Sequence, residues 1–323
     1  MSDMESAQNE TLFETSGNPI PDGSRSGFAT TPDGIKLRYA RWETQIHPSK
    51  GTVILLQGRS EHIEKYFETV EDLRKRGFGV LTFDWRGQGG SDRMLGDPRK
   101  GHVENFEQYL TDLETMLSDV ALPDCKPPHY ILAHSTGGLV ALLAAPAHVN
   151  RIRRMVLASP LLALNRLPLR QSRLQGILGA LTFLGLGRFY LPSDRSLEEQ
   201  RVFLSNNLTS DSARFQRNRQ IVETHEQLAL GPPTISWTFA ACRAMARVSS
   251  PGYSNSIGIP TLMVAAGSDP IVSPTEVEIF GRKMRSGAFL TISGAKHELL
   301  QERDFYREQL LAAFDAFVPG TEF

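Results

Sequence analysis

Apolar positions alternate between two spacings along most of the chain. Short runs at 35–42 ("IKLRYARW"), 52–56 ("TVILL"), 79–83 ("GVLTF"), 130–133 ("YILA") and 154–159 ("RMVLAS") read as strands. The first alternates as a half-exposed strand does, and the others are the continuous runs of buried strands. Between them, apolar residues three and four apart predict helices over 61–77 (stopping at Gly77), 103–120 and 136–147. The rhythm breaks over 161–255, which has many Leu and Arg, several helical stretches and no clear strand. It returns with a strand at 260–267 ("PTLMVAAG"), a helix near 274–285, a strand at 288–293 ("AFLTIS") and a last helix near 298–317. Residues 1–20 carry neither period and read as a flexible N-terminal tail.

Strands alternating with helices predict an α/β fold, a mostly parallel sheet flanked by helices on both faces. Residues 21–160 and 256–323 would form this core, and 161–255 an inserted helical cap (a lid) over one end of the sheet. Charge adds contrast: 161–255 holds eleven Arg, no Lys, two Asp and four Glu, in a chain whose net charge is −1. That near-neutral total argues against binding nucleic acid through bulk charge. The two cysteines, Cys125 and Cys242, form no disulfide framework and no metal-ligand spacing, which suits a reducing, cytoplasmic compartment. The polar start "MSDMESAQNE" does not read as a secretory signal. The most apolar stretch, "ILGALTFLGLG" at 177–187, falls short of the ~18 residues that span a bilayer. Metal-site spacing and a G-x-G-x-x-G after a first strand are both missing, so the expected cofactor is none: no metal and no dinucleotide.

The chemistry concentrates at "HYILAHSTGG" (129–138), where a buried strand ends by presenting Ser135 on a turn backed by glycines. The nucleophile elbow G-x-S-x-G is such a strained strand-to-helix turn, and here Ala133 replaces its first glycine. Ser135 alone could equally be a helix N-cap. A serine nucleophile needs a histidine to take its proton and an acid to hold that histidine's tautomer. Asp269 follows the strand at 260–267, and His297 follows the strand at 288–293. The chain order Ser, Asp, His is the one this fold uses, and strand carboxyl ends share one edge of a parallel sheet. The oxyanion hole would take one backbone N–H from Thr136 and one from Arg59, after Gly58 in the loop beyond "TVILL". Asp84 and Arg86 read as fixing a Gly-rich loop. Glu61 and His62 read as shaping the oxyanion loop, and His134 and His102 as structural.

These residues resemble the α/β-hydrolases that include bacterial lysophospholipases and monoacylglycerol lipases, often grouped as serine-aminopeptidase-like hydrolases. The resemblance rests on "QGRSEHIEKYFE" (57–68), "GFGVLTFDWRGQGGSDR" (77–93), "GHVENFEQYLTDLE" (101–114), "AHSTGG" (133–138), "GSDPIV" (267–272) and "AKHELLQE" (295–302). It implies the α/β-hydrolase fold, Ser135 as nucleophile, Asp269 as acid, His297 as base, and Arg59 and Thr136 as oxyanion donors. Gln57-Gly58 where monoacylglycerol lipases tend to have His-Gly, Ala133-His134-Ser135 where they have Gly-His-Ser, and "LGPPTISWT" (230–238) resemble the lysophospholipase branch. The implied substrate is a lipid acyl ester, with a mono- or diacylglycerol lipase or general carboxylesterase as the alternative. An apolar, cationic cap would meet the lipid surface, as a peripheral contact at the inner face of the membrane. An aminopeptidase would need an acidic cluster for the substrate amine, and dehalogenases and epoxide hydrolases need Asp where Ser135 stands. A rival of another class, a binding protein that keeps the fold without catalysis, would require no ordered proton relay.

Overall fold

The structure, a computed structural model, describes residues 11–165, 171–191 and 202–318. Eight strands form one sheet: β1 (Arg25–Thr30), β2 (Lys36–Trp42), β3 (Thr52–Leu56), β4 (Gly79–Phe83), β5 (His129–His134), β6 (Ile152–Ala158), β7 (Thr261–Ala266) and β8 (Gly287–Ile292). Their spatial order is β1-β2-β4-β3-β5-β6-β7-β8. β2 is antiparallel to both its neighbours, and every other pairing is parallel. This is the α/β-hydrolase fold expected from the sequence.

The continuous apolar runs have a simple cause. Successive residues of a strand point to opposite faces, so a strand covered on both sides needs an apolar residue at every position. In β3, Ile54 and Leu56 join a core cluster with the helices α2 (Glu107–Met116), α3 (Thr136–Ala144) and, beyond β7, Pro274–Lys283. Val53 and Leu55 join the opposite cluster with α1 (Phe67–Lys75) and the last helix, Asp304–Phe317. All nine residues of α3 are buried, so this helix is apolar all round.

Between β6 and β7 the described residues contain the helices α4 (Gln171–Phe183), α5 (Ser212–Thr224) and α6 (Ile235–Val248), followed after β7 by α7 (Pro274–Lys283) and α8 (Asp304–Phe317). The described part of 161–255 pairs by isolated bridges only, Leu164 with Val272 and Tyr190 with Thr234. α6 carries a buried face through Trp237, Ala241, Met245 and Val248, and its N-cap Thr234 accepts from the Trp237 amide.

Among the differences from the sequence reading, three concern the N-terminal third of the chain. β1 was not expected, because its residues alternate poorly and Phe28 stands 51% exposed. The helix expected over 61–77 starts as a 3-10 turn, Ile63–Tyr66, before α1. Residues 11–20 of the expected tail are packed: Leu12 is buried, Arg38 Nη1 donates to Thr11 O at 2.8 Å, and Asn18 Nδ2 donates to Glu64 O at 2.9 Å. The buried Arg38–Glu64 pair has more hydrogen-bonding capacity than the sheet satisfies, and this segment supplies the rest. Residues 1–10 lie outside the described part.

Candidate active site

Ser135 joins β5 to α3 with φ 49° and ψ −111°, a conformation L-residues seldom adopt. The turn is fastened on both sides. Ser135 N donates to Ala158 O at 3.1 Å, and its carbonyl accepts from Leu139 N and Leu161 N. The two glycines behind it are a matter of clearance. A Cβ on Gly137 would stand 2.6 Å from the carbonyl oxygens of both Leu56 and Gln57, and one on Gly138 would stand 2.8 Å from Pro160 Cβ. Only bare backbone lets α3 approach β3 so closely. Ala133 replaces the pattern's first glycine with no exposed surface, in register between Leu56 and Leu157.

The three side chains expected to meet do so. His297 Nε2 lies 3.0 Å from Ser135 Oγ, and His297 Nδ1 lies 2.6 Å from Asp269 Oδ2. The other carboxylate oxygen of Asp269 accepts from Ile271 N and Val272 N at 2.8 and 2.9 Å, which fixes its plane. Asn165, which the sequence did not single out, donates to the Asp269 carbonyl at 2.6 Å. All three residues are buried, Ser135 at 8% exposure and the other two at 4%. A hydroxyl that holds a proton faces one imidazole nitrogen and a carboxylate faces the other. The arrangement therefore suits a neutral imidazole that donates from Nδ1 and accepts at Nε2.

Thr136 opens α3, so its N–H has no carbonyl one turn earlier to receive it. Arg59 follows Gly58 on the loop that leaves β3, the strand beside β5. What holds that loop is a group the sequence had marked only as shaping it. Glu61 Oε2 accepts the Gly58 N–H in a short hydrogen bond and the Tyr66 hydroxyl at 2.5 Å, while Oε1 accepts Lys65 Nζ at 2.8 Å and His134 Nδ1 at 3.1 Å. His134 Nε2 in turn donates to the His297 carbonyl at 3.2 Å, and Lys65 Nζ also meets Glu298 Oε1 at 2.6 Å. One buried cluster thus ties the oxyanion loop, the residue before Ser135 and the backbone of His297 together. Burial works against the charged forms, yet Lys65 and His134 hold the Glu61 carboxyl well below its ordinary range, and Glu61 raises the His134 imidazole. Burial, and next the Glu61 carboxylate, push Tyr66 well above its ordinary value, so its hydroxyl stays a donor.

Asp84 belongs to a different cluster. It accepts from Arg38 at 2.6 Å, from Ile63 N at 3.0 Å and from Gly90 N at 2.7 Å, so it fixes the Gly-rich loop. Its partner there is Arg38, while Arg86 is taken by Asp112 and Asp33. His62 faces Glu64 and His102 faces Thr234. Among the described residues no group of His, Cys, Asp or Glu could hold a metal ion. Cys125 and Cys242 are free thiols.

Fold and site together define the class: serine hydrolases of the α/β-hydrolase fold. Within it, this chain belongs to the family described as "Serine aminopeptidase, S33", whose model matches residues 47–304. It is 31% identical to lysophospholipase L2 of Escherichia coli (strain K12), covering 89% of this chain and 85% of that protein. It is 30% identical to probable lysophospholipase L2 of Haemophilus influenzae, covering 88% of each. Among solved structures, a soluble variant of monoglyceride lipase from Saccharomyces cerevisiae superposes with a TM-score of 0.74 at 20% identity, over 95% of this chain and 99% of that one. At that identity the likeness speaks for the fold.

Proposed function

We propose that this protein is a lysophospholipase that releases a fatty acid from the glycerol ester of a lysophospholipid, with Ser135, His297 and Asp269 as its catalytic triad. The observation that carries the reading is the unbroken hydrogen-bond series from Ser135 Oγ through His297 to Asp269, in a chain whose near-full-length relatives bear the name lysophospholipase. Ser135 Oγ attacks the ester carbonyl carbon while His297 Nε2 takes the hydroxyl proton. The amides of Arg59 and Thr136 receive the oxyanion, each worth about 3 kcal/mol of transition-state stabilisation. The carbon–oxygen bond to the glycerol breaks as His297 returns the proton to the leaving oxygen. Water, deprotonated by His297, then releases the fatty acid and restores Ser135. None of these steps requires a metal or a redox group.

In this reading 161–255 acts as a cap that meets the lipid. Phe183 and Leu204 stand 91% and 93% exposed on it, with Leu184 and Phe189 also outside, a surface suited to an acyl-chain interface. The cap's positive surplus is partly spent elsewhere, since Arg214 and Arg217 both pair with Glu68 on the core. Vesicle binding should therefore depend more on Phe183 and Leu204 than on salt. Binding that is abolished by moderate salt and unchanged by Phe183→Ser would reverse that order. No helix among the described residues is long and apolar enough to cross a membrane, so the contact would be peripheral. Two free thiols suit the cytoplasmic side.

Fatty-acid release from lysophosphatidylcholine, lysophosphatidylethanolamine, monoacylglycerol and diacylglycerol tests the reading. Ser135→Ala should lower turnover by about a million-fold and end labelling by a fluorophosphonate. Turnover of acylglycerols alone would favour the lipase alternative. Folded protein that takes no label and turns over no ester would favour the non-catalytic binder.

A further inference from the structure

The deeply buried guanidinium groups of the core meet carboxylates. Arg38 pairs with Glu64 and Asp84, Arg86 with Asp112 and Asp33, and Arg307 with Asp72. This is the expected arrangement, because a buried charge without a counter-charge is costly. Arg59, partly buried, meets no carboxylate among the described residues. Its guanidinium enters the seam between the core and the 161–255 segment, where Nη2 donates to Gly231 O at 2.7 Å and Nη1 to Ser60 Oγ at 2.8 Å. It also lies 5.1 Å from the centroid of the Trp237 ring. Its described partners are thus a carbonyl, a hydroxyl and an aromatic face, none of them anionic, and Nε is buried with no partner. Burial draws its pKa down to about 10, against the pull of Tyr109 and Tyr190, so the group remains a cation at neutral pH. Arg93 also has no ion pair among the described residues, but it is bonded to Gly89 O and Gln227 O and feels Asp84.

The backbone of the same residue is the oxyanion donor of the proposed reaction. In a lysophospholipid, the three glycerol carbons and one ester oxygen separate the acyl ester oxygen from phosphorus. That is the scale of an arginine side chain. A planar guanidinium carries five donors in a fork that matches phosphate oxygens. We propose that Arg59 binds the phosphate of the substrate headgroup, so that one residue grips the reacting carbonyl through its amide and the phosphate through its side chain. The guanidinium is held in place by its surroundings: Gly101 lies against both Leu230 and Arg59 Nη2, where a Cβ would fall 2.6 and 3.4 Å away, and Trp237 is held by its Nε1–H to Tyr109 Oη at 2.9 Å. This proposal rests on the lysophospholipase reading and adds its selectivity for a phosphorylated glycerol over a neutral one.

Substitution of the side chain keeps the backbone N–H, so the test reads a ratio. On oleoyl lysophosphatidylethanolamine, Arg59→Met should lose about 30-fold more kcat/KM than it loses on monooleoylglycerol. Arg59→Lys, which keeps the charge without the fork, should fall between the two and covers the case in which Arg59→Met does not fold. Equal losses on both lipids would overturn the proposal and leave Arg59 as a residue that docks the cap. A second arm needs no lipid turnover: inhibition of p-nitrophenyl butyrate hydrolysis by sn-glycerol 3-phosphate and by inorganic phosphate. Wild-type protein should be inhibited more strongly by the glycerol ester, and Arg59→Met should resist it. Equal inhibition by both anions would overturn headgroup recognition in favour of a free-anion site. If the wild type turns over only acylglycerols, the functional reading falls, and this second arm still decides Arg59: inhibition unchanged by Arg59→Met removes the site.

Discussion

Two histidine–carboxylate pairs lie side by side under the carboxyl edge of the sheet, His297–Asp269 and His134–Glu61, with their rings 4.8 Å apart. They are alike in residue type, burial and first contact. They differ at the far nitrogen. His297 Nε2 faces the Ser135 hydroxyl, which has a proton to give. His134 Nε2 faces the His297 carbonyl, which can only accept. With an acceptor on each side, both nitrogens of His134 donate, and the ring is an imidazolium. The first pair is thus poised to take up a proton, and the second already holds one. Being a charged, satisfied unit with Lys65 and Glu298, the second pair suits holding the loop and the base in place. Catalytic potential here is decided by one hydrogen-bond partner, since the pairs themselves match.

Replacing the acid in each pair should separate the two roles. Asp269→Asn should lower kcat by about 10^4 through the wrong imidazole tautomer, with the melting temperature little changed, because Asn keeps an acceptor for the Ile271 and Val272 amides. Steady-state kinetics beside thermal unfolding measure both quantities. Glu61→Gln should do the reverse. All four of its described side-chain partners are donors, namely Gly58 N–H, Lys65, Tyr66 and His134. A glutamine must therefore turn its NH2 toward a donor, at a cost of about 3–5 kcal/mol in stability. Because the folded pKa of Glu61 lies below its ordinary 4.5, its contribution is present above pH 4.5 and lost as pH falls through the lower folded value. The deficit of Glu61→Gln in urea unfolding should accordingly shrink toward acid. A deficit independent of pH would mean that packing, and not the carboxylate's charge, holds the loop.

The first pair was legible in the sequence and the second was not. Ser135, Asp269 and His297 each follow an apolar run, so local pattern places all three at strand ends, and the parallel sheet does the rest. The second cluster depends on contacts the pattern does not encode: Lys65 and Glu298 stand 233 residues apart, and His134 reaches Glu61 across 73. One signal was available, the Glu61–Lys65 spacing of four on a helical turn. The positive surplus of 161–255 was countable, but its use in docking Arg214 and Arg217 onto Glu68 depended on tertiary position. β1 escaped notice because an edge strand with an exposed Phe28 carries no clean alternation.

The smallest expected effect tests the comparison most sharply. His134→Gln removes the imidazolium but keeps one amide donor, so it should destabilise by about 2 kcal/mol. Glu61 raises the folded pKa of His134 above its ordinary 6.5. Its contribution is therefore complete below pH 6.5, and it is lost as pH rises through the raised value. The stability deficit of His134→Gln should be greatest near pH 5–6 and should shrink toward alkaline pH, opposite in direction to that of Glu61→Gln. Turnover should fall by no more than about tenfold, the equivalent of 1.4 kcal/mol, because the group reaches the reaction only through the His297 backbone. A loss approaching that of Asp269→Asn, with stability intact, would place His134 in the proton path and dissolve the distinction between the two pairs.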